Sequence, residues 1–413
     1  MAACCPARAA TEDRKDKPRR ELADILRAYG QDYVRDHSVP PRHLKVMRDI
    51  MACRTAFFGG HVDKCAQCGH KKIAYNSCLN RHCPKCQSIP KARWLEARRS
   101  ELLPVPYFHV VFTLPHELNP LALCNKKLVY SILFQTASQT LKDFASKQGG
   151  KTGFLAILHT WDQRLGYHVH LHCVVPGGML SADGESWLPS AETFLFPVDA
   201  LSMVFRGKFI EALDRAFEMG EMIFPGKAAE YATPEGFDGL TARLWGKEWV
   251  VYCKPPFAGP GKVLDYLGRY THRVAISNHR IVDVTDGKVT FLYRDRKNND
   301  KAGVMTLEAG EFIRRFLLHV LPKGLMRIRH FGLFANRYKE QNLSLCRRLL
   351  KLCPQRTLPP RKTTQELMLE LTGRDITCCP RCGGPMRTVL ELPRFPGAQY
   401  EDYFSQPLIL DSS

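Results

Sequence analysis

Three histidines at alternate positions of one apolar stretch constrain this chain more than any other feature. The stretch is Tyr167-His-Val-His-Leu-His-Cys-Val-Val-Pro-Gly-Gly178, and its alternation is typical of a β-strand. Side chains on a strand alternate between two faces, so His168, His170 and His172 share one face. Two neutral imidazoles at neighbouring same-face positions can bind one divalent cation without moving the backbone. We predict that His170 and His172 bind a metal ion; the alternative is a solvated strand face rich in histidine.

The third metal ligand is left open among His159, Gln163 and His168. His159 and Gln163 lie on the preceding predicted strand and its turn, whereas His168 lies on the histidine strand itself. The register of the hairpin decides between them, because a slip of one residue moves His159 to the opposite face of the sheet.

The charge balance predicts a polyanionic partner. The chain has 413 residues, with 60 Lys and Arg against 41 Asp and Glu, for a formal net charge of +19. Nucleic acid fits better than a membrane, because no basic amphipathic helix, lipidation motif or long apolar run is present. The first twenty residues are charged and lack the apolar centre of a signal peptide. The 16 cysteines therefore indicate a reducing cytoplasm rather than a secreted disulfide framework.

Four regions are predicted along the chain: a basic N-terminal arm and helix (1–41), a zinc-binding module (42–102), a catalytic domain (103–320) and a basic helical C-terminal region with a tail (321–413). The catalytic region alternates strands with long helical patterns. Its hairpin-like spacing at 154–175 and 280–293 predicts an α+β fold, in which an antiparallel sheet has helices packed on one face. The predicted strands are Tyr107–Leu114, Phe154–Trp161, His168–Val175, Glu248–Cys253, Arg280–Val284 and Lys288–Tyr293. The predicted helices are Lys126–Lys147, Ala200–Phe217, Lys262–His272 and Ala309–Val320.

Two Cys-x2-Cys turns in the second region predict a zinc site. Cys65 and Cys68 form the first pair, and Cys83 and Cys86 form the second. Four thiolates from two tight turns complete a tetrahedral Zn²⁺ site, and a small module with little core needs that metal to fold. Nearby side chains rank as second choices for ligands; these are Cys78, His61, His70 and His82.

Basic residues around the second cysteine pair predict a DNA-binding surface. We select Arg81, Lys85 and Arg93 as its contacts, with duplex or hairpin DNA as the partner. An ordinary solvated helix face would carry some of these charges in any case.

A further pair, Cys379 and Cys382, forms half of another metal site. Its other half would come from elsewhere, with Cys346 and Cys353 as weak candidates. A turn without a metal is at least as consistent with the sequence.

Two tyrosines four residues apart, Tyr266 and Tyr270, share one face of a predicted short helix. Arg269 and Arg273 flank Tyr270 and are predicted to steady phosphate charge. From the spacing alone, a packed pair of core tyrosines is the better interpretation.

Several motifs occur together in a fixed order. They are Cys-x2-Cys…Arg-His-Cys-Pro-x-Cys, then His-x-His-x-His-Cys-Val-Val-Pro-Gly-Gly, then Lys254-Pro-Pro-Phe-x-Gly-Pro…Tyr266-x3-Tyr270-x-His-Arg-Val-Ala-Ile-Ser-Asn278. Two more follow: Glu311-Phe-Ile-Arg-Arg-Phe-Leu-Leu-His-Val-Leu-Pro322 and Arg327-Ile-Arg-His-Phe-Gly332. In these motifs, from about Arg42 to Arg337, the chain resembles the transposases of the IS91 family. It departs from them at His168-Val169, where the family often has His-Pro; a strand tolerates this change because valine suits it better.

The resemblance implies a rolling-circle transposase of the two-tyrosine His-hydrophobe-His class. Tyr270 or Tyr266 would attack single-stranded DNA and form a 5′-phosphotyrosine, with Mg²⁺ or Mn²⁺ at the histidines and Zn²⁺ at the cysteines. The partner would be DNA in the bacterial nucleoid, single-stranded at the catalytic site and hairpin or duplex at the element ends. The sequence leaves the oligomeric state open. One alternative is a non-catalytic DNA-binding or replication-accessory protein. The other is a zinc hydrolase, but such an enzyme would leave the positive charge and the cysteine module without a use.

Overall fold

The structure is a computed structural model, and it describes residues 20–192, 195–254, 262–263, 268, 274–295, 300–353 and 360–394. The strands are, in chain order, β1 (Gly60–Cys65), β2 (Lys71–Tyr75), β3 (Tyr107–Thr113), β4 (Gly150–Lys151), β5 (Gly153–Trp161), β6 (Tyr167–Pro176), β7 (Gly178–Ser181), β8 (Trp187–Pro189), β9 (Val251–Lys254), β10 (Ile281–Thr285), β11 (Lys288–Asp295), β12 (Lys301–Glu308), β13 (Ile328–Gly332) and β14 (Met386–Leu392).

The α-helices of these residues are α1 (Leu22–Asp36), α2 (Pro41–Met51), α3 (Ser88–Arg99), α4 (Asn119–Cys124), α5 (Lys126–Lys147), α6 (Val198–Glu218), α7 (Pro234–Trp245), α8 (Ala309–Leu318), α9 (Lys339–Leu349) and α10 (Thr364–Thr372). Among the described residues, none of these helices has both the length and the apolar character that a membrane span requires. The fold is α+β, as predicted.

A five-stranded sheet with the order β13-β5-β6-β3-β9 forms the centre of the molecule. All four strand pairs are antiparallel. The predicted hairpin is confirmed, since β5 pairs directly with β6. The edge strand β13 lies beyond residue 320, so the sheet includes the first strand of the predicted basic C-terminal region.

The two faces of β6 lie in different environments, as the alternation predicts. Val169, Leu171, Cys173 and Val175 are buried in the main hydrophobic core. Apolar residues of α4, α5, α6 and α7 fill the same core, so these helices cover one face of the sheet. The other face carries the histidines, and its far end packs in a smaller core with α9.

The N-terminal helix α1 packs against a distant part of the chain. Leu26 of α1 and Met47 of α2 share a core with Phe291 of β11 and Phe312 of α8. Residues 20–51 therefore pack together with the part of the chain around 275–320, across the predicted boundary after residue 41. The predicted basic arm before residue 20 lies outside the described residues.

Three cations from different parts of the chain bind the segment at the end of α8. Arg42 donates a hydrogen bond at 2.5 Å, Arg81 at 2.6 Å and Lys126 at 2.7 Å to backbone oxygens between Leu318 and Leu325. Hydrogen bonds from charged donors are stronger than neutral ones. The three donors come from α2, the cysteine-rich loop and α5, so they join these elements at one segment.

Replacing a core phenylalanine of α6 tests the packing of helices on the sheet. Phe205 is fully buried, and its ring lies 4.8 Å from that of Phe112 on β3. We expect Phe205→Ala to lower the free energy of unfolding by about 3–5 kcal/mol, because the cavity cannot close fully. Met203→Ala, at a 63% exposed position of the same helix, is the matched control and should cost less than about 0.5 kcal/mol. Denaturant titration measures both, and equal losses would contradict this packing.

Candidate metal centres and the DNA-processing site

Three buried histidines converge on the face of the sheet opposite α5 and α6. His159 of β5 stands directly opposite His170 of β6, and His172 follows on the same face. Their ligand nitrogens lie within 4.8 Å of one another. The exposed fractions of the three residues are only 3%, 8% and 4%. The structure therefore brings together the two histidines predicted as a metal pair and one of the candidate third ligands.

Hydrogen bonds fix the orientation of the two histidines on β6. His172 Nδ1 lies 2.8 Å from Nε2 of His109, a buried residue of β3. His170 Nδ1 lies 2.9 Å from the backbone oxygen of His168. With Nδ1 engaged in both rings, Nε2 is the nitrogen that would bind an ion, and a partner on the second nitrogen is what metal-binding histidines generally have.

The other candidate third ligands lie outside the cluster. His168 is exposed, and its ring centroid is 4.9 Å from that of His170. Gln163 lies in the turn between β5 and β6, where its backbone oxygen accepts a hydrogen bond from Arg280. His109 was not among the residues predicted from the sequence; the available signal was a histidine within the apolar predicted strand Tyr107–Leu114.

Another buried histidine, His319, has a structural role. Its two ring nitrogens contact the Thr160 hydroxyl at 3.3 Å and the Leu165 backbone oxygen at 3.2 Å. Burial lowers the pKa of His319 to about 4, so the ring is neutral at neutral pH. Both nitrogens are used, which separates this residue from the metal candidates.

The four cysteines predicted as one zinc site belong to two different clusters. One cluster contains Cys53, Cys78, Cys83 and Cys86. The prediction of a single site is wrong because β2, which has five residues, separates the first cysteine pair from the second by roughly 17 Å.

The remaining pair, Cys65 and Cys68, lies with Cys379 and Cys382 from the other end of the chain. Of the second-choice ligands, only Cys78 belongs to a cluster; His61, His70 and His82 do not. Cys346 and Cys353, the weak candidates to complete the C-terminal pair, also lie outside both clusters.

The thiols of the first cluster cannot all ionise independently. Cys53 Sγ is 3.4 Å from Cys86 Sγ, and Cys78 Sγ is 3.6 Å from it. Hydrogen bonding with Cys53 lowers the pKa of Cys86 and raises the pKa values of Cys78 and Cys83. Hydrogen bonds within the cluster also lower the pKa of Cys53, so two thiolates are stabilised at the expense of the other two thiols. A bound divalent cation removes this conflict, because it holds coordinating thiols deprotonated.

The basic residues selected as DNA contacts have partners inside the protein. Arg81 binds the backbone oxygens of Pro322 and Leu325, Lys85 pairs with Glu21 at 2.5 Å, and a guanidinium nitrogen of Arg93 lies 2.6 Å from the Thr364 hydroxyl. These contacts give Arg81 and Lys85 a role in joining elements, which a sequence cannot distinguish from a role in binding phosphate.

Comparisons with known proteins find transposases. A family model described as "Transposase zinc-binding domain" matches residues 25–114, and one described as "Putative transposase" matches residues 153–342. A protein of Sinorhizobium fredii described as "Putative transposase y4qJ" is 50% identical over 377 residues, which cover 89% of this chain and 94% of that protein. The chain belongs to the IS91 family of transposases.

A second relative is more distant. The transposase for insertion sequence element IS801 of Pseudomonas savastanoi pv. phaseolicola is 28% identical over 316 residues, covering 75% of this chain and 74% of that protein. A solved structure of the conjugative relaxase TrwC in complex with oriT DNA aligns with 60% of this chain and 73% of its own, at 9% identity and a TM-score of 0.21. That score is too low to support any conclusion about this transposase.

The family matches map onto the two kinds of cluster. The zinc-binding match contains the whole of the first cysteine cluster but only Cys65 and Cys68 of the second. The "Putative transposase" match contains all three clustered histidines. Tyr266, Tyr270, Arg269 and Arg273 lie within this match but outside the residues that the structure describes.

The choice of His159 as third ligand can be tested by metal titration. We expect His159→Ala to weaken Mn²⁺ binding at least about tenfold, a typical loss even for a supporting group of a metal site. His168→Ala removes the exposed histidine of the same strand pair and is the matched control, since the backbone oxygen that His170 contacts remains. Isothermal titration calorimetry measures both affinities. Equal affinity in the two variants would exclude His159.

Proposed function

We propose that this transposase nicks single-stranded DNA at the ends of its element and moves that element by a rolling-circle mechanism. The observation that supports this proposal is the cluster of His159, His170 and His172. It lies on rigid strands of the central sheet, and two of its members lie within the His-hydrophobe-His motif. Sites built on strands hold their geometry more precisely than sites on loops.

The donor set of the cluster fits a divalent ion. Three buried imidazoles suit Mn²⁺ or a later transition metal better than Mg²⁺, which prefers oxygen ligands. When bound, the ion would supply Lewis-acid polarisation of the scissile phosphate. His109 would hold the His172 ring in the orientation that presents Nε2, through the 2.8 Å contact.

The proposed nucleophiles are Tyr270 and Tyr266, and their assignment rests on the family motif. The phenol oxygen forms a bond to phosphorus while the bond from phosphorus to the 3′ oxygen breaks. The phenol loses its proton to solvent, and the departing 3′ oxygen takes one up. The product is a 5′-phosphotyrosine and a free 3′-hydroxyl that can prime synthesis. Arg269 and Arg273 would stabilise charge on the phosphate.

The rest of the proposal concerns partners and place. Single-stranded DNA is the substrate, while hairpin or duplex DNA at the element ends binds the basic surfaces. Such a protein would work in the cytoplasm at the nucleoid.

Removing the histidines of β6 should separate chemistry from DNA binding. We expect His170→Ala and His172→Ala to reduce nicking of a single strand from an element end by at least about 100-fold, because no ion then polarises the phosphate. Binding should persist, since cationic surfaces supply most of the affinity. Gel assays measure both, with His168→Ala as the control. Persistent nicking would indicate that the histidines are structural, while binding with no nicking in the wild type would favour a DNA-binding accessory protein.

The tyrosines are tested by trapping the covalent intermediate. Tyr266→Phe and Tyr270→Phe each remove only one oxygen, so packing should be kept. We expect covalent adducts on a suicide oligonucleotide to fall in each single variant and to vanish in the double variant. Mass spectrometry of the wild-type adduct locates the linked residue, for which we favour Tyr270. A link at any other tyrosine would refute this assignment.

A further inference from the structure

The Cys65-Ala-Gln-Cys68-Gly69 turn has the backbone form of a zinc knuckle. The N–H of Cys65 donates to the His70 oxygen at 2.8 Å, and the N–H of Gly69 donates to the Cys65 oxygen at 3.2 Å. Gly69 has a φ of +71°, a left-handed conformation that glycine adopts without strain. The N–H of Cys68 lies 3.5 Å from Cys65 Sγ and helps to lower the pKa of that thiol to about 6.

The Cys379-Pro-Arg-Cys382-Gly383 turn repeats this form at the other end of the chain. The N–H of Cys379 donates to the Gly384 oxygen at 2.8 Å, and the N–H of Gly383 donates to the Cys379 oxygen at 2.9 Å. Gly383 has a φ of +73°. The two turns therefore share the same pair of backbone hydrogen bonds and the same left-handed glycine.

The β-strands adjoining the turns bring the two turns face to face. β14, which follows the C-terminal turn, pairs antiparallel with β1, which leads into the N-terminal turn, from Gly60 opposite Leu392 to Cys65 opposite Met386. β2 pairs with the other edge of β1, so the three strands form one sheet in the order β14-β1-β2.

The sulfur positions match a tetrahedral metal site. Cys65 Sγ is 3.5 Å from Cys382 Sγ, and Cys68 Sγ is 3.7 Å from Cys379 Sγ. Four sulfurs at about 2.3 Å from a central Zn²⁺ would be about 3.8 Å apart. A disulfide would need about 2.05 Å, so the observed arrangement is that of four separate ligands.

We propose that Cys65, Cys68, Cys379 and Cys382 bind a second Zn²⁺, and that this ion assembles a three-stranded DNA-binding ribbon from the two ends of the chain. The first cluster, Cys53 with Cys78, Cys83 and Cys86, holds its own ion. The N-terminal zinc-binding domain thus requires the C-terminal segment for its completion.

The ribbon has a row of cations that fits the DNA backbone. Lys64 of β1 stands opposite Lys71 of β2 and opposite Arg387 of β14, and all three side chains are exposed. Like charges placed directly opposite on neighbouring strands destabilise a sheet. Phosphates of a DNA duplex would relieve this repulsion, and because such contacts go to the backbone, they need no particular base sequence.

Zinc analysis of the full chain tests the metal site. Every protein carries His170→Ala and His172→Ala, so that zinc at the histidines does not contribute. We expect about two zinc ions per chain in this background and about one after Cys379→Ser/Cys382→Ser. Cys378→Ser is the matched control, because Cys378 adjoins the turn but lies outside the cluster.

The zinc proposal fails if the Cys379→Ser/Cys382→Ser protein keeps the zinc content of its background. If that protein does not fold, zinc analysis and X-ray absorption on the His170→Ala/His172→Ala background decide: two four-sulfur sites give about two zinc ions per chain, each with about four sulfurs at about 2.3 Å. About one zinc ion per chain there would overturn the proposal.

Salt-dependent binding to an arbitrary 30-base-pair duplex tests the cationic row. We expect Lys64→Gln/Arg387→Gln to weaken binding at least about tenfold at 0.1 M salt and to reduce the slope of log K against log salt by about 1.8. Lys142→Gln/Lys227→Gln removes the same charge from exposed positions elsewhere and should leave the slope unchanged. Equal effects of the two variants would show that the ribbon contributes only to the overall charge. Neither test depends on nicking, so each can fail while the proposed catalysis stands.

Discussion

The register of β5 against β6 is the constraint on which the histidine site depends. His159 stands opposite His170 because Leu155 is paired with Val174 and Ile157 with His172 along the same ladder. A shift of one residue would turn His159 toward α5 and bury its imidazole in an apolar core, where a polar group without a partner costs several kcal/mol. The apolar half of the hairpin therefore selects the register, and the register assembles the site.

Much of this arrangement follows from local sequence patterns. The alternation in β6 gave the face shared by His170 and His172, and the period of about 3.6 residues gave α5 with its observed bounds, Lys126–Lys147. Local periodicity predicts such elements because a side chain faces the same environment as the one two residues away on a strand, or four residues away on a helix. His109 was missed because its contact with His172 depends on the pairing of β3 with β6, which local patterns do not encode.

The pairing of the cysteines shows the same limit. Two Cys-x2-Cys turns close together in sequence resemble one zinc site, yet Cys65 meets Cys382 and Cys83 lies with Cys53. All three turns have the same local chemistry, so their spacing cannot decide which ones meet. Which turns meet is decided by the pairing of β1 with β14 and by the length of β2, and both are properties of the fold.

Only some of the positively charged side chains are placed where they can contact DNA. Lys126 donates to backbone oxygens after α8, and burial lowers its pKa to about 8, while burial lowers the pKa of Arg327 to about 10. Lys126 joins α5 to the end of α8, and both buried cations are poorly placed to meet a polyanion. Exposed cations such as Lys64 and Arg387 are held near one another by strand pairing instead. Since the charge repulsion between them opposes that pairing, a nearby metal ion that locks the strands and a polyanion that neutralises the row would stabilise the same structure.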